Sequence, residues 1–311
     1  MMIRRLAILG SVAAAVVALV ATPAPADDLS DYLEEADRAT YSGRRHVGTN
    51  WDGWERMGVV EVEQLGGMAM FGSGENYLML GGGRFHAVGS SSVGLAYVSG
   101  GSVRIANDYV MAMGETAMHL GRAAQVMEVR EAGMLRMRMV VDVVTFAPLV
   151  TEVYDDEGNL FRYSTMVEFS TSAPGMADYH DDGQYEMMVP IDDAPVPGEV
   201  GRYQLVDAYR GPADRQQAFY TDGLFSFSLF VIDGRSDVAR MTPEGRTWED
   251  GGHEYLRVVA PAKVWVLWST SVYTYALVGD LPPDHFAAVL EDLPRPERRN
   301  WFKNLWHRLF G

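Results

Sequence analysis

Apolar and polar residues alternate with a period of two along much of this chain. The clearest stretch is Phe219-Tyr220-Thr221-Asp222-Gly223-Leu224-Phe225-Ser226-Phe227-Ser228-Leu229-Phe230-Val231. Asp222-Gly223 is a turn pair, because Gly accepts positive φ without a Cβ clash. Beyond it Phe225, Phe227, Leu229 and Val231 point one way, and Ser226, Ser228 and Phe230 the other. That pattern predicts a strand with one buried face, and Phe219–Val231 reads as a single strand opening on a tight turn.

The same alternation places strands elsewhere. Val59–Glu63, Met68–Phe71, Tyr77–Leu80, Arg84–Val88, Gly94–Val98 and Tyr109–Met113 are short apolar runs separated by glycine clusters, the punctuation of antiparallel strands. Gln125–Val129, Leu135–Val141, Leu149–Tyr154 and Leu160–Phe169 make a four-strand meander, with Asp155 to Asn159 as its last turn. Further on, Gly201–Tyr209, His253–Val259, Lys263–Ser269 and Val272–Val278 are strands, and Asp233–Gly252 is a polar loop. Val264, Val266 and Trp268 share one face of their strand, Trp265 and Leu267 the other. Two apolar faces imply a central or covered strand.

A period near 3.6 appears three times. Leu29, Tyr32, Leu33 and Ala36 predict a helix over Asp28–Thr40, ended by Tyr41-Ser42-Gly43. Phe286, Val289, Leu290 and Leu293 predict one over Asp284–Leu293, with Pro282-Pro283 where a missing N–H is harmless. Glu297 to Phe310 gathers Trp301, Phe302, Leu305, Trp306, Leu309 and Phe310 on one half of a helix. From Pro294 onward this tail carries Arg295, Arg298, Arg299, Lys303 and Arg308 against the single acid Glu297. Such a helix suits a membrane interface with anionic headgroups, through Trp301, Phe302, Leu305, Trp306 and Phe310. It equally suits docking on the acidic remainder of its own chain.

Composition narrows the classes. A length of 311 residues allows two ordinary domains. A net charge of −16 repels phosphate backbones, so nucleic acid is not an expected partner. The absence of cysteine removes disulfides, thiolate nucleophiles and Cys-ligated metals. Arg4 and Arg5, the apolar run Leu6–Val20 and Ala24-Pro25-Ala26 form an export signal over residues 1–26, cleaved near Ala26 or kept as an anchor. The mature chain is then extracytoplasmic. Residues 173–200, with four prolines and seven acids and no Lys or Arg, mark a linker. It divides residues 27–172 from 201–293, and the tail is 294–311. Asp178, His180 and Asp182 sketch a calcium loop, but its twelfth position is Val189 instead of Glu.

Three sets of residues carry a resemblance to the MucB/RseB family of extracytoplasmic sigma-factor regulators. Tyr220-Thr221-Asp222-Gly223-Leu224-Phe225-Ser226-Phe227-Ser228 closely resembles a signature of that family's C-terminal domain. Val278-Gly279-Asp280-Leu281-Pro282-Pro283, followed by a helix, resembles its C-terminal ending. The meander with Pro148 and the Asp155–Gly158 turn agrees in order and spacing. The tail departs from the family. The resemblance implies an α+β, predominantly antiparallel β fold: a half-open β-barrel domain, similar to the LolA/LolB lipoprotein carriers, and a smaller antiparallel sheet-and-helix domain. It implies binding to the outer segment of a membrane anti-sigma factor, protection of that segment from proteolysis, and a lipid or lipoprotein ligand in the first domain.

Candidate residues follow. Tyr220, Asp222, Gly223 and the exposed aromatics Phe230 and Trp265 are candidates for partner contact, or are kept by the geometry of the fold. Met111, Met113, Leu135, Met137 and Met139 are candidates for an acyl-chain site, since methionine adapts to irregular apolar guests; as alternating strand residues they equally fill core. Self-association is open. No catalytic constellation appears: His46, His86, His119, His180, His253, His285 and His307 are scattered, and Gly89-Ser90-Ser91-Ser92-Val93-Gly94 fails the register of a nucleophile elbow. No cofactor and no metal are expected, and the chain reads as a binder. The alternative is a periplasmic lipid or lipoprotein carrier without a sigma pathway.

Overall fold

The first long strand is one that alternation did not predict. Thr40–Trp51 (β1) holds two arginines and two glycines, yet Tyr41, Arg45, Val47, Thr49 and Trp51 turn inward and are buried. Arg45 hides the pattern: its guanidinium donates to the Pro148 carbonyl at 2.9 Å and reaches Tyr41 and Ser164 at 3.3 Å. β1 returns as Trp54–Leu65 (β2) through Asp52 (φ 52°) and Gly53 (φ 72°), with Trp51 paired to Trp54. Positive φ at both central residues is the turn whose twist matches a two-residue hairpin.

The computed structural model describes residues 29–65, 68–73, 76–81, 84–88, 108–173, 189–190, 196–210, 216–242 and 244–297, the backbone alone within 68–88 and 189–190. The predicted strand Gly94–Val98, the export signal, most of the linker and the tail from 298 lie outside these residues.

Helix α1, Leu29–Arg38, buries Leu29 and Tyr32. After β1 and β2 come Met68–Ser73 (β3), Asn76–Gly81 (β4), Arg84–Val88 (β5), Tyr109–His119 (β6), Arg122–Glu131 (β7), Met134–Asp142 (β8), Pro148–Tyr154 (β9) and Leu160–Ser170 (β10). They form one antiparallel sheet in the order β5-β4-β3-β2-β1-β10-β9-β8-β7-β6. Two meanders are thus joined where β1 pairs with β10. The predicted four-strand meander is β7 to β10, and its Asp155 turn closes with the carboxylate accepting from the Asn159 amide at 2.7 Å. The ten strands make the expected half-open barrel.

The second sheet contains Val189–Pro190 (β11), Glu199–Val200 (β12), Tyr203–Arg210 (β13), Gln216–Thr221 (β14), Ser226–Asp233 (β15), Arg246–Asp250 (β16), His253–Val259 (β17), Val264–Ser269 (β18) and Tyr273–Gly279 (β19). Its order is β11-β13-β14-β15-β19-β18-β17-β16, with β12 on β13, and every pairing is antiparallel. Two expectations are corrected here. Phe219–Val231 is a hairpin, β14 and β15, because Asp222-Gly223 reverses the chain instead of only opening a strand. The supposed polar loop 233–252 contains the short helix α2, Val238–Met241, and the edge strand β16, whose only large apolar residue is Trp248. Helix α3, Pro283–Asp292, lies close to its predicted span.

The two sheets share a core. One cluster joins Met127, Val129, Met137, Met139, Val153 and Phe161 of the first to Tyr220, Phe227, Val266, Trp268 and Leu277 of the second, and to Phe286, Val289 and Leu290 of α3. The predicted facing of β18 holds: Val264, Val266 and Trp268 enter this cluster, while Leu267 and Trp265 lie on the opposite face with Leu256 and Ala276.

Candidate functional site at the seam between the sheets

The two sequence motifs meet. In the β14–β15 turn the Asp222 Oδ1 accepts from the amides of Leu224 at 3.0 Å and Phe225 at 2.8 Å, and Gly223 takes φ 94°. Thr221 Oγ donates to the Phe225 carbonyl at 2.9 Å. Tyr220 stacks on Phe227, centroids 4.9 Å apart, and donates its hydroxyl to the Pro197 carbonyl at 2.7 Å. The amide of Ser226 then donates to Asp280 Oδ1 at 2.9 Å, which ties this hairpin to the Val278–Pro283 motif. Gly279 is required by close approach, for a Cβ there would lie 2.7 Å from both Phe227 Cβ and the Ser226 carbonyl oxygen. Gly279→Ala is therefore expected to cost about 1–3 kcal/mol, since neither neighbour is the free end of a side chain. A shift in the midpoint of urea unfolding checks it, and an unchanged midpoint contradicts the close packing.

Both motifs reach the first sheet through charge. The second oxygen of Asp222 accepts from Tyr109 on β6 at 2.7 Å and lies 3.1 Å from Arg202 Nε. Arg202 also pairs with Glu131 on β7, and its guanidinium lies 4.6 Å from the Tyr109 ring centroid. Asp280 meets Arg162 of β10 at 3.2 Å. Arg136 of β8, 1% exposed, bridges Glu131 at 2.7 Å and Asp284 of α3. A second contact region lies at the β1–β2 tip. Trp51 packs against Phe161, Trp248 and Phe286, and the Arg257 guanidinium lies 4.6 Å from its ring centroid while pairing with Asp52 at 2.7 Å. Thr49 Oγ donates to the Pro261 carbonyl at 3.0 Å.

His285 sits at the centre of the seam, 6% exposed. Burial, ahead of the opposing pull of Asp284, lowers its pKa to about 4. The ring is therefore neutral near pH 7, with one N–H. Nε2 lies 3.1 Å from Glu131, an acceptor, so the proton belongs there; Nδ1 accepts from the Tyr203 hydroxyl at 2.6 Å. The Tyr203 phenol is held well above its ordinary pKa by burial and then by Asp222, so it keeps the proton it donates. Tyr109 is raised for the same two reasons. Burial also raises Asp280, against the pull of Arg162 and the Ser226 amide.

His285 makes stability depend on pH. Between 6.5 and about 4 the unfolded chain binds a proton at this ring that the folded chain refuses, so stability falls as the pH falls through that window. The loss is at most about 3 kcal/mol, complete below the folded value. Comparing unfolding of His285→Gln with the parent at pH 7 and pH 4.5 checks it: the variant is expected to lose less on acidification.

The structure disperses the predicted partner residues. Tyr220 is buried against Phe227 and Pro197, Asp222 is buried in contacts between the two sheets, Gly223 shapes their turn, and Phe230 and Trp265 lie on the far face of the second sheet. The last two are not exposed, as alternation implied; they are half-buried against Leu256, Leu267 and Ala276, where the outer face has its own apolar cluster. Met111, Met137 and Met139 pack in the shared core, Leu135 is half-buried and Met113 is 41% exposed. Trp301, Phe302, Leu305, Trp306 and Phe310 lie outside the described residues. A groove of about 370 Å³ opens at the far end of the second sheet, with Leu229, Val231, Tyr273 and Tyr275 among its lining residues and Arg210 and Asp233 as its charges. Sequence reasoning missed Trp51, Arg136 and Tyr109. Trp51-Asp52-Gly53-Trp54 was readable as a hairpin tip; nothing local marks the contacts of Arg136 with Asp284 or Tyr109 with Asp222, 148 and 113 residues apart.

No protein-family model and no curated protein matches the chain. Among solved structures, MucB covers 84% of this chain and 94% of its own, at 18% identity and a TM-score of 0.52. The Pseudomonas aeruginosa MucA/MucB complex covers 86% and 99%, at 18% identity and 0.47. A LolA superfamily protein from Nitrosomonas europaea covers 83% and 97%, at 12% identity and 0.20. The chain is thus similar in fold to MucB over most of either molecule.

Proposed function

We propose that this protein is an extracytoplasmic regulator that acts by binding: it holds the outer segment of a membrane anti-sigma factor, shields it from proteolysis and keeps the sigma factor silent. The observation that carries this reading is the meeting of the two family-like motifs at the Ser226–Asp280 contact, with both tied to the first sheet. The motifs are thus used as a unit in a fold similar to MucB, a protein crystallised with MucA(peri). Phe230 and Trp265 offer a partner their half-buried outer face, and Tyr220, Asp222 and Gly223 shape the same sheet from within. The tail, through Trp301, Phe302, Leu305, Trp306 and Phe310, brings the molecule to the membrane. In a strain lacking this gene, transcripts of envelope-stress genes are expected to rise; unchanged transcripts overturn the reading.

A lipid or lipoprotein ligand for the first domain, either as release signal or as cargo of a carrier, is favoured by the methionines of β6 to β8, among which Met113 keeps 41% of its surface. Release requires a ligand that prefers the free regulator to the complexed one. Saturable binding of a fluorescent fatty acid to residues 27–311, weakened by Met113→Asp at the exposed methionine, is the expected result. Absence of saturation removes the lipid part and leaves the regulator.

A further inference from the structure

The first sheet ends on an unusual strand. β6 is eleven residues long, and among the described residues it pairs with β7 alone. The other sheet ends are short: β5 and β16 have five residues each and β11 has two. Brevity is one device by which proteins stop an open backbone edge from recruiting another chain; lysine, arginine and proline at the edge are others. β6 has none of these. From Tyr109 to His119 its only carboxylate is Glu115, and no Lys, Arg or Pro occurs.

Its side chains point to the same use. Val110 is 65% exposed, Met113 41% and Met118 68%, and the adjoining turn adds Leu120 at 46%. Four of the eleven large apolar side chains exposed among the described residues therefore border this one edge. The strand carries a bulge between Met113 and Thr116, but it is held in the sheet: Gln125 Nε2 donates to the carbonyl of Gly114 at 2.7 Å and, more weakly, to that of Glu115 at 3.3 Å. The bulge's inner side is satisfied by a side chain, and the outer edge stays extended.

We infer that β6 is a strand-addition site, along which an extended, basic segment of a partner protein joins the first sheet as an eleventh strand. Backbone hydrogen bonds would hold the segment, and its apolar side chains would cover Met113 and Met118 on one face of the sheet and Val110 on the other. Charge selects the occupant. Glu115 and Asp108 border the edge; Asp108, its side chain 71% exposed, lies 3.7 Å from Arg202, a guanidinium already shared with Glu131 and Asp222, while the other nearby arginines are engaged: Arg122 with Asp142, Arg130 with Glu128 and Arg138 with Glu152. The local field is acidic, as is the chain at −16. A second copy fits badly, because antiparallel pairing of two β6 strands about the bulge brings one Glu115 toward the other. This inference rests on the proposed regulator reading, which makes the segment part of the anti-sigma factor's outer region.

The test uses residues 27–311 and the outer region of the anti-sigma factor encoded in the same genome. Amide exchange over residues 110–118 is expected to slow at least tenfold when that region is added. The double variant Val110→Lys, Met118→Lys, which places cations at two exposed positions, is expected to weaken binding at least tenfold with an unchanged melting temperature. Binding without slowed exchange on β6 overturns the inference and leaves the regulator reading standing. Failure to bind at all overturns both. A dimer that the double variant dissolves assigns the edge to a second copy and also overturns it.

Discussion

Replacing Arg136 with alanine is expected to destabilise the protein by about 3–5 kcal/mol, because it strands Asp284 and takes one of two guanidinium partners from Glu131 at a buried junction. Arg136 is 1% exposed and lies between Glu131 and Asp284, one from each side of the seam. Taking the cation away leaves Asp284 without its guanidinium and Glu131 with Arg202 and the His285 N–H alone. The cost is a loss of compensation more than a loss of attraction, so the double variant Arg136→Ala, Asp284→Ala is expected to recover part of it. A double-mutant cycle in chemical denaturation measures both numbers. Additive losses would mean that the pair does not act as a pair.

Trp51→Ala is expected to cost a similar 3–5 kcal/mol by a different route. The indole is 4% exposed and touches both sheets: Phe161 at 6.0 Å, Trp248 at 5.1 Å and Phe286 at 5.2 Å between centroids. Removing it opens a void where the β1–β2 tip meets α3 and leaves Arg257 without the ring it lies over. Asp52→Asn, which keeps the turn and removes only the charge that Arg257 meets at 2.7 Å, is expected to cost under about 1 kcal/mol, since the Asp52 side chain is 66% exposed. Equilibrium unfolding of the two variants separates packing from charge; equal losses would contradict the assignment.

What the sequence made legible follows from how local each signal is. Strands β7 to β10 and β17 to β19 alternate cleanly and are read correctly, because a period of two needs only neighbouring residues. Alternation alone misses β1, for its inward residues include Arg45 and Thr49, polar groups acceptable inside only because they meet Ser164, Pro148 and Pro261 far along the chain. β16 is missed because a five-residue edge strand has one face in water and needs little apolar content. The 219–231 motif was visible as a string, but its meaning was not: Asp222 works with one oxygen on its own turn and with the other on Tyr109 and Arg202. No spacing rule announces a contact across two sheets.

The joining of β1 to β10 sets an order on assembly. Arg45 and Ser164 meet across that pair from positions 119 residues apart. A chain emerging from its N-terminus presents β1 with one neighbour, β2, long before the other exists. Pairings so distant carry a high loop-closure cost before they return any contact, and they slow folding. Until β10 arrives the first meander has an open flank, a time during which a chaperone that covers unpaired strands would matter most for yield.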